Sequence, residues 1–165
     1  MKSDIEAYLS GRQHRAGETV QLGWFVFRIA EAGSPPRIES LDFRQIASFT
    51  DDFHMAEKIA ASQTDTLRSF GVSECPCTLQ QTALVSVSYT PGHPDAFLQR
   101  QESTDANDSG WYVGILDDPA DMADVETFSR RSLYELTIHD MRLAPFWLLP
   151  AQTTIPLRDH TSFQL

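Results

Sequence analysis

The alternation of apolar and polar positions predicts several β-strands in this chain. Residues 19–30, TVQLGWFVFRIA, are rich in β-branched and aromatic side chains and apolar on both faces, which is typical of a central strand. Residues 37–43 form a second predicted strand after a loop that contains glycine and proline. The same criteria predict four more strands, at residues 82–90, 96–102, 110–116 and 153–158. The two strands at 96–102 and 110–116 are expected to form a hairpin.

Helical periodicity is strongest between residues 51 and 70. Apolar side chains recur there at helical spacing, at Phe53, Ala56, Ile59, Ala60, Leu67 and Phe70. Asp51 and Asp52 are expected in the first turn, where carboxylates complement the free N–H groups, and Gly71 supplies the stop.

Two shorter helices complete the predicted secondary structure. Residues 4–12 form one, and a capping box of Ser132 and Glu135 opens another that runs through His139. Strands outnumber helices and mostly follow one another. The pattern therefore favours an α+β fold, mainly an antiparallel sheet with two to four helices packed against it.

A length of 165 residues suits a single domain, which we divide into an N-terminal lobe, residues 1–77, and a C-terminal lobe, residues 78–165. Two similar motifs occur, GWFVFRI at 23–29 and GWYVGIL at 110–116. They are too short to establish a duplication.

The charge balance narrows the range of partners. The chain has 13 Lys and Arg against 23 Asp and Glu, a net charge of −10. Binding to nucleic acid needs clustered cations, so we expect no nucleic-acid partner, whereas the negative charge favours basic partners. No apolar run approaches the roughly 18 residues of a membrane span, and no secretory leader is evident. We therefore expect no membrane association and a cytoplasmic location.

Cysteine and histidine give little sign of catalysis. Cys75 and Cys77 flank one proline and offer two of the four ligands that zinc needs, so no metal site is expected. His54, His93 and His139 are candidate bases, but no local motif joins any of them to a nucleophile.

The most distinctive segment is acidic. Residues 105–126 contain seven carboxylates and no Lys or Arg. DANDSG at 105–110 is similar to the start of a calcium loop, but the twelfth position is Leu116 and not the required Glu. A carboxylate pair for acid–base catalysis is a second interpretation. An interaction surface or a solvated loop is the third, and composition does not separate those two.

The C-terminal half, about residues 78–158, resembles the immunity-protein domain found beside bacterial polymorphic and contact-dependent toxins, a family first catalogued as a domain of unknown function. The motifs that carry the resemblance are FLQR (97–100), DSGWYVG (108–114), DDP (117–119), SLYEL (132–136) and WLLPAQT (147–153).

The resemblance implies an antidote without enzymatic activity or cofactor that binds one cognate toxin. It implies that Trp111 belongs to the scaffold and that loops contact the toxin. From the acidic segment we predict a partner-binding site at Asp117, Asp118, Asp121, Asp124 and Glu126.

Two other functions remain open: a small cytosolic hydrolase that uses a cysteine or a carboxylate pair, and an adaptor domain of a secretion system. The sequence does not fix the oligomeric state or identify the toxin.

Overall fold

A computed structural model describes residues 1–118 and 124–159. The chain divides into two compact units, residues 1–61 and residues 62–165, and the boundary falls inside a long helix, upstream of the lobe boundary suggested by the sequence. Each unit has its own sheet, and the α+β prediction is confirmed. Within the two described ranges, no helix combines the length and apolar character that crossing a membrane requires.

The N-terminal unit contains a four-stranded antiparallel sheet in the order β1-β2-β3-β4. Its elements are α1 (Lys2–Leu9), β1 (Thr19–Leu22), β2 (Phe25–Glu31), β3 (Arg37–Leu41), β4 (Phe49–Thr50) and the beginning of α2 (His54–Phe70).

The predicted strand at 19–30 is in fact a hairpin. β1 ends at Leu22, and the chain turns at Gly23, which has φ 59°. β2 then pairs with β1 in the antiparallel direction, with Phe25 opposite Leu22. The prediction of one strand was wrong because both arms are apolar and only the glycine marks the turn. β2 is nevertheless central and buried on both faces, as expected.

Aromatic stacking fills the core of this unit. Phe27 of β2 stacks on Phe53 with ring centroids 5.8 Å apart, and Trp24 stacks on Phe43 at 5.8 Å. Such pairs contribute about 0.5–1.5 kcal/mol each beyond the burial of their surface.

The start of α2 differs from the prediction by a few residues. The helix begins at His54, so Asp51 and Asp52 precede it and do not lie in its first turn. The Asp52 carboxylate accepts a hydrogen bond from the His54 N–H (3.0 Å) and thus caps the helix from outside. Gly71, with φ 63°, follows the last helical residue as predicted.

The C-terminal unit contains a five-stranded mixed sheet in the order β8-β5-β7-β6-β9. Its elements are β5 (Thr82–Ser86), β6 (Ala96–Arg100), β7 (Asp108–Ile115), β8 (Phe128–Ser132), α3 (Leu133–His139) and β9 (Thr154–Pro156), with 3₁₀ helices at Val125–Thr127, Met141–Phe146 and Leu157–Asp159.

The predicted hairpin of β6 and β7 is present, and Ser132 caps α3 by accepting a hydrogen bond from the Glu135 N–H (3.1 Å). Two features were not predicted. β8 is an edge strand without an apolar alternation, and β5 pairs with β7 in parallel. The sheet is therefore mixed, although most of its pairs are antiparallel.

Two tryptophans form the centre of the core in this unit. The Trp111 indole N–H donates to the Trp147 carbonyl (3.0 Å), and the Trp147 indole N–H donates to the Thr137 hydroxyl (2.8 Å). Trp111 is only 1% exposed, so the prediction that it is buried is confirmed.

Arg100, at the end of β6, is also buried and only 5% exposed. Its guanidinium donates to the carbonyl of Ser109 and to three others, those of Cys75, Trp147 and Leu149. It also lies 5.6 Å from the centre of the Trp111 ring. The alternation of Ala96, Leu98 and Arg100 on the buried face places this cation in the core.

Truncating Trp111 tests this packing. We expect Trp111→Ala to lower the free energy of unfolding by about 3–5 kcal/mol, since it leaves a large cavity and removes one of the donors to the Trp147 carbonyl. Phe70→Ala is the matched control, because Phe70 is 43% exposed and should cost less than about 1 kcal/mol. Urea unfolding measures both, and equal losses would contradict this account of the core.

Candidate functional site

Strands β5 and β7 run in the same direction and end at the same edge of their sheet. β8 is antiparallel to β5 and begins at that edge, with Phe128 opposite Ser86. The segments after β5 and β7 and before β8 therefore meet there. We call this region the acidic edge, defined by Val87, Asp117, Asp118, Asp124, Val125 and Glu126.

The two adjacent aspartates have different environments. Asp117 is exposed at a left-handed position, with φ 58°. Asp118 is partly buried and accepts hydrogen bonds from the hydroxyls of Ser86 (2.5 Å) and Ser88 (2.9 Å). Asp118 thus ties the end of β7 to the end of β5, whereas Asp117 has its carboxylate in solvent.

The other predicted residues lie on the 3₁₀ helix before β8. The Asp124 carboxylate caps it by accepting a hydrogen bond from the Glu126 N–H (2.9 Å). Asp124, Val125 and Glu126 are all exposed. Asp121 lies outside the described residues. The predicted binding role of these carboxylates stays a prediction.

Two apolar side chains at the acidic edge face solvent. Val125 is 85% exposed and Val87 is 58% exposed. Their backbones are near one another, since the Val87 N–H donates to the Thr127 carbonyl (2.9 Å). Apolar side chains surrounded by carboxylates are the composition that many protein interfaces have, with an apolar centre and a polar rim.

No cation neutralises the exposed carboxylates of this edge among the residues that the structure describes. The arginines of β8 pair elsewhere: Arg130 with Asp108 (3.2 Å) and Arg131 with Glu135 (3.5 Å). Asp117, Asp124 and Glu126 form no ion pair within the same part of the chain. The region therefore has a local negative field.

A row of aromatic rings crosses the adjoining sheet face. Tyr112 contacts Phe97 at 5.6 Å and Phe128 at 6.0 Å between ring centroids, both edge-on. With Leu84 and Arg130, Tyr112 and Phe128 line a cavity of about 360 Å³. The three rings are half-buried, so this face offers apolar area next to the acidic edge.

Gly114 allows Tyr112 to adopt this position. A Cβ at Gly114 would lie 2.7 Å from the Tyr112 ring, so a larger residue would force the ring to move. Burial and the nearby negative charge of Asp118 raise the pKa of Tyr112, and a hydrogen bond with Ser86 acts in the opposite direction. The Tyr112 phenol is thus linked to the same serine that holds Asp118.

Among the candidate catalytic residues, Cys77 and His93 have contacts that the structure defines. The Cys77 thiol donates to the Trp147 carbonyl (3.2 Å), and burial raises its pKa to about 12, which disfavours a thiolate. His93 Nδ1 accepts from the Asp95 N–H (3.2 Å) and contacts neither thiol. No group of three or more His, Cys, Asp or Glu side chains in these ranges is placed to hold a metal ion.

The loop between β5 and β6 is fixed at its tip by Asp140, a residue absent from the predictions. The buried Asp140 carboxylate accepts from the Tyr89 hydroxyl (2.8 Å), the Gly92 N–H (3.0 Å) and the Arg142 guanidinium (2.7 Å). Burial alone would raise the pKa of Asp140. The three hydrogen bonds act in the opposite direction, the one from Arg142 most strongly, and together they hold the pKa below its ordinary value.

The sequence contained part of the information about these contacts. The alternation in TALVSVS puts Ser86 and Ser88 on one face, but no local pattern connects them with Asp118. The exposure of Val87 and Val125 had no sequence signal, because single valines are usually buried.

Because Asp140 is ionised in these contacts, we expect the free energy of unfolding to depend on pH. Because the folded pKa is depressed, the stabilisation is complete above the unfolded pKa of about 3.9 and is lost as the pH falls through the folded pKa. Asp140→Asn should lower the free energy of unfolding by about 1.5–3 kcal/mol near neutral pH, and by less below about pH 4. Urea unfolding across this pH range, with the exposed Asp65→Asn as control, measures the difference. A constant difference at every pH would contradict the role of the carboxylate.

Comparison with protein-family models, with curated proteins and with solved structures finds no match to this chain. The family resemblance rests on the sequence motifs alone.

Proposed function

We propose that this protein is a non-enzymatic immunity protein that neutralises a cognate bacterial toxin by binding it at the acidic edge. The observation that carries the proposal is the pair of exposed valines, Val87 and Val125, beside carboxylates that no described cation pairs with. The motif resemblance to immunity domains supplies the class of partner.

The partner's surface should be basic. An acidic rim attracts Lys and Arg side chains over the distance of the Debye length, about 8–10 Å in physiological salt. A toxin that handles nucleic acid or another anionic substrate has such a surface at its active site. Occupying that site would block the substrate.

Apolar contact would then hold the complex together. Binding energy in interfaces concentrates in a few well-packed side chains at the centre, while the charged rim sets specificity and the association rate. Val125 and Val87 fit the central role, and Asp117, Asp124 and Glu126 fit the rim.

Asp118 has a second role in this proposal. Its carboxylate accepts hydrogen bonds from Ser86 and Ser88, which fixes Asp118 at the end of β5. It therefore positions the exposed Asp117 next to it in the chain.

Protection in cells tests the proposal directly. Co-expression with the toxin encoded by the neighbouring gene should restore growth and yield a stable complex on purification. If the toxin remains lethal at equal expression, or if no complex forms, the proposed function is wrong.

The acidic edge is tested by neutralising its exposed carboxylates. The triple variant Asp117→Asn, Asp124→Asn, Glu126→Gln should slow association about tenfold at low salt and flatten its salt dependence. Its melting temperature should change little, because an Asn at 124 still caps the 3₁₀ helix. Stopped-flow mixing with the toxin measures the rate.

A matched variant controls for net charge. Asp51→Asn, Asp65→Asn, Glu74→Gln removes the same three charges from exposed positions elsewhere. It should leave the rate within about twofold, since these carboxylates do not belong to the acidic edge. Equal slowing by both triple variants would show that net charge and not the acidic edge steers the partner.

A further inference from the structure

The negative charge of the chain is unevenly divided between its two units. Residues 62–165 contain 14 acidic and six basic residues, whereas residues 1–61 contain nine acidic and seven basic ones. Within the N-terminal unit, three of the four residues in RQHR at 12–15 are Arg or His. We call residues 12–18, between α1 and β1, the cationic loop.

The two arginines of the cationic loop lack carboxylate partners among the described residues. Arg12 and Arg15 are exposed, and Arg12 lies 4.5 Å above the Tyr8 ring. Other arginines of the same unit are paired, such as Arg37 with Glu31 (2.9 Å) and Arg44 with Asp42 (2.9 Å). These two guanidinium groups are therefore available to an external anion.

A cavity of about 900 Å³ lies against this loop, lined by Arg12, Gln13, His14 and Arg15 together with Glu18. In the described part of the chain, the backbone N–H groups of Gln13, His14 and Ala16 donate to no acceptor. The cavity is therefore bordered by a segment whose backbone N–H groups are available to a ligand. Its volume is in the range of small-molecule sites.

The His14 side chain at this cavity is held in place by the fold. Its side chain is only 9% exposed, and its Nε2 donates to the Leu9 carbonyl (3.3 Å). Its Nδ1 is buried without a hydrogen bond, and the nearest carboxylate, that of Glu18, is 3.8 Å away.

We propose that the cationic loop binds the phosphate group of a small molecule. Guanidinium groups match the oxygens of phosphate with paired hydrogen bonds, and a phosphate has enough acceptor oxygens to use several donors at once. Free backbone N–H groups in a loop add to such sites. The inference concerns the N-terminal unit and does not rest on the proposed toxin binding.

Glu18 occupies part of this site in the structure. Its carboxylate accepts a hydrogen bond from the Arg15 N–H (3.0 Å). A phosphate would take over this donor and displace the carboxylate, so Glu18 competes with the ligand. Removing its charge should therefore strengthen binding.

The experiment titrates the protein with inorganic phosphate, pyrophosphate and adenosine triphosphate at constant ionic strength, with adenosine as the uncharged control. Calorimetry gives the affinity, and amide chemical shifts locate the site. We expect saturable binding of the phosphate compounds, with shift changes concentrated in residues 12–18. Binding of inorganic phosphate as tightly as the nucleotide would identify the phosphate alone as the ligand, whereas tighter nucleotide binding would extend the site over the cavity.

Variants make the assignment specific. Arg12→Gln with Arg15→Gln should weaken binding at least about tenfold, and Glu18→Gln should strengthen it. Arg37→Gln, an exposed and paired arginine of the same unit, is the matched control and should stay within about twofold. Unchanged melting temperatures confirm that the variants fold.

Three results would overturn the proposal. One is the absence of saturable binding of pyrophosphate at millimolar concentration. Another is binding that survives the loss of Arg12 and Arg15. The third is an equal loss with Arg37→Gln, which would indicate diffuse attraction and not a site.

Discussion

The C-terminal unit depends on the buried guanidinium of Arg100. A cation removed from water is costly unless its donors are satisfied, and here four backbone carbonyls and the face of Trp111 replace the water. These carbonyls belong to β7, to the segment before β5 and to the segment around Trp147 and Leu149. One side chain thereby brings together three parts of the chain that are distant in sequence.

The acidic edge shows how neighbouring carboxylates acquire different roles. Asp118 and Asp117 are adjacent, yet two serine hydroxyls hold the first while the second extends into solvent. The Asp118 carboxylate joins the ends of β5 and β7, and the exposed Asp117 carboxylate contributes to the local negative field. A region that has both apolar side chains and unpaired charge is suited to binding a charged protein surface, since the charge accelerates the encounter and the apolar contact lowers the dissociation rate.

The N-terminal unit has the opposite local character at the cationic loop, although the chain as a whole is strongly acidic. Net charge describes only the average field of the chain, so it does not reveal a local cluster of cations such as the cationic loop. Arg12 and Arg15 form no ion pair with a described carboxylate, so their charge can attract an anion. A paired arginine such as Arg37 gives little such attraction. The two proposed sites thus lie in different units and select ligands of opposite charge.

The sequence by itself determined the α+β class, most strands, the cap of α3 and the burial of Trp111, because these depend on local periodicity and on short-range hydrogen bonds. It also located the acidic segment. It could not separate the hairpin of β1 and β2 from one strand, since the apolar pattern is continuous through Gly23. Only the tertiary structure decided that β5 and β7 are parallel, that Asp118 meets Ser86, and that Arg100 and Asp140 are buried with partners far along the chain. Such contacts join residues about 30 to 50 positions apart, and no local pattern specifies which distant groups satisfy a buried charge.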